Sequence, residues 1–179
     1  MIRLKRIEVR GKAEAGEFSG SLEFGAGLQV ISAHNAYGKS LAVKSVAWCL
    51  GLEPMFGNVD NDPIILPEAV RESVTLEGSP DSPVISSECA IWIEDDAGRQ
   101  LEIKRDIKGG DRTVVQVRET GKDGTTRSSK LMARKSTMLD ESGGFQRFLF
   151  EWLSWPLIDV PTYRLGGSKV YLENLAPLF

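Results

Sequence analysis

The chain has 179 residues, 41% hydrophobic and 26% charged, which is enough to bury one sizeable core and too apolar for a disordered chain. A formal net charge of -3 excludes a global basic field, so any nucleic-acid contact has to come from a local patch. The single histidine, His34, excludes a His-rich zinc site and a Ser-His-Asp triad elsewhere in the chain.

The N-terminus, "MIRLKRIEVRG", lacks the continuous apolar core of a signal peptide, and no stretch reaches the roughly 18 apolar residues of a membrane span, so a soluble cytoplasmic protein without membrane contact is expected. Ile2, Leu4, Ile7 and Val9 nearly alternate with charged residues, and the alternation breaks once, at Lys5-Arg6. This predicts a half-exposed first strand. "FSGSLEF" keeps period two and predicts a second strand from Gly16 to Phe24. After the glycine turn at 25–27, "LQVIS" is an apolar run suited to a short buried strand.

That run feeds the loop Ala33-His34-Asn35-Ala36-Tyr37-Gly38-Lys39-Ser40. From Lys39 to Leu50 the period changes: Leu41, Val43, Val46, Ala47 and Leu50 recur at helical spacing, and Gly51 stands where a glycine ends a helix. A strand, a loop closing in Gly-Lys-Ser and a helix place backbone N–H groups at a helix N-terminus, which suits a polyphosphate. In this arrangement Gly38 lets the backbone approach the phosphates, Lys39 reaches the β and γ phosphates, and the Ser40 hydroxyl ligates Mg²⁺. The usual opening glycine is Ala33, whose methyl matters only where that residue needs φ > 0 or lies against the ligand. His34 and Tyr37 read as exposed loop side chains able to reach the nucleotide or a partner chain.

Residues 53–83 carry five prolines and predict an irregular connection with a short helical piece around Glu68 to Arg71. "ISSECAIWIEDDAGRQLEIKRDI" has two alternating runs about an Asp-Asp-Ala-Gly turn, the pattern of a β-hairpin. "CAIWIEDD" also mimics a Walker B strand, with Glu94, Asp95 and Asp96 at its end where one carboxylate would hold Mg²⁺ and another polarise water, but the turn chemistry favours the hairpin. "TVVQVRETGKDGTTR" adds a strand and a Lys-Asp-Gly turn, so an antiparallel meander is expected over 85–128. "SSKLMARKSTMLDES" predicts a helix with Ser129 as a cap, and "GGFQRFLFEWLSW" a second, apolar helix closed by Pro156. Phe145, Phe148, Leu149, Trp152 and Trp155 read as core. The tail "SKVYLENLAPLF" reads as a chain cut in mid-fold, beginning a further strand. Cys49 and Cys89 lie in apolar surroundings and read as buried, reduced thiols rather than a disulfide.

These residues resemble a known family. The basic first strand "RLKRIEVRGK", the second strand carrying Phe, "L-x-V-I", Asn35 in the loop, and "GKS" followed by an apolar helix ending in "LG" are similar to the N-terminal half of an SMC-like, ABC-type ATPase head. That group includes the chromosome-organising SMC proteins, the recombination-repair ATPases that partner a nuclease, and the RecN and RecF types. The hairpin resembles the antiparallel β-lobe of these heads; the match covers residues 1–52 well and 85–119 loosely.

The resemblance implies an α/β fold: a P-loop half-head with a mixed central sheet, plus an antiparallel β-lobe. It implies ATP and Mg²⁺ as cofactors, a basic residue near the end of the first strand (Arg10 or Lys12) approaching the nucleotide, and a head that dimerises in the full-length protein. Signature and Walker B motifs come, in that family, from a C-terminal half of the same head or a second head, so weak or no ATPase activity is expected of this chain alone. The implied role is coupling ATP to DNA tethering, repair or defence. Lys122, Arg127, Lys130, Arg134 and Lys135 form a basic run able to contact DNA phosphates or to act as a solvated helix face. Two alternatives remain at this level: a complete small P-loop kinase or GTPase-like enzyme using "IEDD", and a non-catalytic adaptor with a structural loop.

Overall fold

The computed structural model describes residues 2–27, 29–30, 38–56, 65–76, 79–133 and 144–156, with the backbone of 159–161 and 167–169. The loop residues Ala33, His34, Asn35, Ala36 and Tyr37, the basic Arg134 and Lys135, and most of the tail lie outside them.

Period-two sequence makes the sheet. Strands β1 (Ile2–Ala13) and β2 (Gly16–Glu23) form a hairpin, β3 (Ser73–Leu76) pairs the start of the long β4 (Ser79–Asp95), and β5 (Gln100–Lys108), β6 (Val114–Thr120) and β7 (Thr126–Met132) follow as a meander. The order is β2-β1-β4-β5-β6-β7, with β3 alongside β4. The break in alternation at Lys5-Arg6 is a bulge: β4 pairs Leu4 with Ile93 and Arg6 with Trp92, leaving Lys5 as the extra residue. The hairpin turn is the expected one. Asp95 N–H bonds to the Arg99 carbonyl at 3.1 Å, and β4 continues into β5 with Glu94 opposite Gln100.

Three expectations are corrected. Every named strand pair is antiparallel, and the parallel contact is an isolated bridge between Met132 and Gly144, so the described residues form no mixed sheet. Short turns join most neighbouring strands, and tight connections can only make antiparallel pairs. Of the expected strand "LQVIS", Gln29 and Val30 are in neither helix nor strand, and Val30 is 81% exposed with no described neighbour strand to cover it. Of the helix expected from Ser129, residues 129–132 are instead part of β7, and 134–142 lie outside the described residues. Residues 126–132 pair one for one with 114–120 across the Lys-Asp-Gly turn, and Ser129 stands opposite Val117 rather than capping a helix. Cross-strand bonding to a preformed neighbour outweighs the weak helical propensity of a segment rich in Ser and Thr.

Helix α1 (Lys39–Cys49) ends as predicted. Gly51 has φ 70°, its N–H bonds to the Trp48 carbonyl at 3.2 Å, and the Leu52 N–H reaches the Ala47 carbonyl at 2.8 Å, which together make a Schellman stop. A Cβ at position 51 would lie 3.3 Å from the Ala133 carbonyl oxygen, a second reason for glycine there. The helix is rotated from the expected face: Ala42, Ser45, Ala47, Trp48 and Cys49 are buried, whereas Val43 is exposed. Its polar residues Lys39, Ser40, Lys44 and Ser45 are spread around the helix rather than gathered on one side, so its own sequence leaves the rotation free, and Trp48 packing against the sheet helps set it. Helix α2 (Phe145–Trp152) buries Phe145, Leu149 and Trp152 on one side, with Phe148 half-buried and Trp155 exposed. A 3-10 turn at Glu68–Val70 matches the short helical piece expected there.

The core is a single layer between the sheet and both helices. Ile7, Val9, Cys89, Ile91, Leu101, Ile103, Val115 and Val117 point from the sheet into one cluster with Ala42, Trp48, Phe145 and Trp152. The opposite sheet face carries Arg10, Glu88, Lys104, Gln116 and Lys130. Among the described residues no helix is long and apolar enough to cross a membrane.

Candidate functional site: the open end of helix α1

Gly38 caps α1 in a left-handed conformation, φ 83° and ψ 4°, which an L side chain adopts only with strain. Its carbonyl accepts the first helical bond, from Ala42 N–H at 2.9 Å. The N–H groups of Lys39, Ser40 and Leu41 therefore precede the intrahelical ladder; Gly38 has no side chain to cap them, and no carboxylate lies in the first turn. Among the described residues nothing lies within 4 Å of the point where a Gly38 Cβ would sit, which leaves room there for a close approach to the backbone. Ser40 is exposed and Lys39 half-buried. The helix dipole and these N–H groups make the end suited to an anion, with a lysine and a hydroxyl beside it.

The other end of α1 is anchored. Arg105 occupies an inward position of β5, in register with Leu101, Ile103 and Ile107. Its Nη1 bonds to the Trp48 carbonyl at 2.7 Å and to Glu53 Oε1 at 2.5 Å, its Nε to the Arg112 carbonyl at 2.7 Å, and its guanidinium stacks 3.9 Å from the Trp48 ring centroid. Gln146 of α2 donates to the Leu50 carbonyl at 2.8 Å. Two cations or amides at the helix C-terminus thus satisfy its last carbonyls. Arg105 was not evident as a functional residue in the sequence, although its place in the period-two register of β5 marks it as inward-pointing.

The remaining site residues are dispersed. Arg10 sits on the sheet face opposite α1, where it donates to Glu8 Oε1 at 2.5 Å and stands across from Glu88. Lys12 shares that face. The structure does not bring either to Lys39 and Ser40. Lys122 lies in the β6–β7 turn, and Arg127 and Lys130, three residues apart on the edge strand β7, point to opposite sides of it. Of the described basic residues, only Lys130 joins Arg10, Lys104 and Arg118 in a polar groove of about 540 Å³. In that groove Glu88 pairs Lys104 at 2.6 Å and Glu102 pairs Arg118 at 3.5 Å.

The carboxylates of "IEDD" serve the hairpin. Asp95 accepts from Arg99 N at 2.9 Å and from Arg99 Nε at 2.7 Å; Arg99 in turn donates to the Trp152 carbonyl at 2.6 Å. Burial raises the Asp95 carboxyl, but the hydrogen bonds and charge of Arg99 outweigh it and hold the group below its ordinary value. Among the described residues no three His, Cys, Asp or Glu side chains group closely enough to hold a metal ion.

Asp106 behaves in the opposite way. Burial, and then the charge of Glu88, raise its carboxyl above the ordinary value. A group with a raised folded value favours the fold when protonated, so its contribution is complete below the ordinary value and is lost as pH rises through the raised one. Asp106→Asn is therefore expected to melt higher than the wild type at pH 7 and equally at pH 3, read by differential scanning calorimetry at the two pH values.

Comparison with family models, with curated proteins and with solved structures finds no match. The functional reading therefore rests on the sequence and on this geometry.

Proposed function

We propose that the chain is the ATP-binding N-terminal part of an SMC-like ATPase head, holding the nucleotide at the open end of α1. The observation that carries this is the placement of Gly38, Lys39 and Ser40: a left-handed glycine caps the helix, and the lysine and serine open its first turn, where the N–H groups precede the helical ladder. In this reading Lys39 holds the β and γ phosphates, Ser40 ligates Mg²⁺, and Ala33 to Tyr37 form the preceding loop. Mg²⁺ bound there would supply charge neutralisation across the phosphates.

The dispersal of the acidic residues supports a divided head. Asp95 is engaged by Arg99, so the carboxylate that orients water would come from the C-terminal half of the head or from a second one. An apolar groove of about 350 Å³ beside α1, walled by Leu4, Phe24, Val43 and Val46, offers such a segment a surface to pack on. The engagement of Asp95 also disfavours a complete small P-loop enzyme. DNA remains the proposed partner of the assembled protein rather than of one patch here, because the described basic run is split between a turn and two sides of a strand.

A thermal-shift titration with Mg-ATP tests the site. A site on the folded chain stabilises it by ~2.7 kcal/mol at ligand a hundredfold above Kd. The wild type is expected to show a saturating rise in Tm that Lys39→Ala abolishes while keeping its ligand-free Tm. No shift in the wild type, or an equal shift in both proteins, refutes nucleotide binding at this loop.

A further inference from the structure

The two cysteines, 40 residues apart in sequence, meet in the core: Cys49 Sγ in the last turn of α1 lies 3.1 Å from Cys89 Sγ in the middle of β4. Both are completely buried free thiols, and Cys49 also reaches the Cys89 carbonyl at 3.6 Å. They are the only cysteines of the chain. We propose that Cys49 and Cys89 are an oxidisable dithiol that a small peroxide converts into an internal disulfide, locking α1 to the centre of the sheet.

Geometry favours this pairing over any other fate of the two thiols. The sulfurs need approach by only about 1 Å to reach bonding distance, roughly 2.05 Å, and the residues sit on rigid elements already in register. Burial excludes bulky disulfides such as oxidised glutathione, whereas hydrogen peroxide is close to water in size. In the first step a thiolate attacks one peroxide oxygen, giving a sulfenic acid and hydroxide. The second thiol then displaces that oxygen as water and forms the S–S bond. Two thiols and one peroxide thus become one disulfide and two waters.

Desolvation, with the neighbouring Cys49 thiol, raises Cys89 well above its ordinary value, which keeps the pair reduced without an oxidant and makes the reaction slow at neutral pH. The cross-link bears on the open end of α1 because both lie on one 11-residue helix. It does not depend on what that end binds.

Treating the full chain with hydrogen peroxide, removing the excess and counting thiols in denaturant tests the proposal. The expected result is loss of both thiols together, a mass lower by two hydrogens, an unchanged monomer on a non-reducing gel, and a higher Tm that dithiothreitol reverses. Cys89→Ser and Cys49→Ser are each expected to gain oxygen at the remaining thiol without losing hydrogen and to show no Tm rise that dithiothreitol reverses. Recovery of both thiols from the wild type, oxygen addition without loss of hydrogen, or a covalent wild-type dimer each overturns the proposal.

Discussion

Replacing Arg105 with alanine is expected to destabilise the protein by about 3–5 kcal/mol, read as a lowered urea midpoint at unchanged slope. The magnitude follows from what the guanidinium does. Arg105 and Glu53 are 4% and 0% exposed at their side chains, so removal of one leaves the other as a buried charge without its counter-ion. Two carbonyls, of Trp48 and Arg112, lose a charged donor in the same step, and the Trp48 ring loses the cation on its face. Glu53→Leu combined with Arg105→Met separates the contributions. Removing both charges abolishes the stranded-ion penalty, so the double variant should recover part of the loss, and the remainder measures the two carbonyls and the ring. A loss below ~1 kcal/mol for Arg105→Ala would mean that the pair is solvated and α1 is held elsewhere.

Arg105 also explains why this anchor was not legible in the sequence. In "LEIKRDIK" a charged residue at an inward position reads as a surface residue, and only the neighbours contributed by α1, by Glu53 and by the 112 carbonyl make it a core residue. Those contacts span 52 and 57 residues of sequence, beyond any local pattern. Features governed by nearest neighbours were legible. The bulge at Lys5, the Schellman glycine at 51 and the Asp-Asp-Ala-Gly hairpin each express a steric or hydrogen-bonding rule confined to a few residues. Residues 128–132 failed for the converse reason. Ser129 read as a helix cap because the local sequence carries no information about the strand waiting across the turn at Val114–Thr120.

The candidate site was legible only in its outline. Gly38, Lys39 and Ser40 stand at a helix N-terminus as the motif requires, because a glycine and a run of helix formers determine that boundary locally. Arg10 did not follow. A strand residue is assigned to one sheet face by parity alone, and Arg10 shares parity with Glu8 and Lys12, away from the helix side on which Val9 meets Cys89. The meeting of Cys49 and Cys89 was equally invisible, since it depends on the rotation of α1, which a helix without a single polar stripe leaves to its packing partners.

Phe145→Ala is expected to cost about 3–5 kcal/mol, comparable to the loss of Arg105 and by a different mechanism. Phe145 is fully buried and opens α2, whose Leu149 and Trp152 follow at helical spacing into the same cluster as Ile103 and Val117. Truncation leaves a cavity in that cluster. Glu151→Ala on the exposed side of the same helix removes only the surface pair with Arg147 and should stay within about 0.5 kcal/mol, which makes it the control for helix propensity. Urea unfolding of both variants tests whether α2 belongs to the one core; a loss in Phe145→Ala no larger than in Glu151→Ala would place α2 outside it. The result bears on function through Gln146, the next residue, whose amide holds the Leu50 carbonyl at the far end of α1. Helix α1 is fixed at its C-terminal end by α2, Arg105 and the glycine stop, while its N-terminal end begins with the lysine and serine after the left-handed Gly38. Weakening α2 should therefore loosen the anchored end first, and hydrogen exchange of Leu50 and Gly51 amides in Phe145→Ala should rise more than that of the strand amides of Ile91 and Ile103.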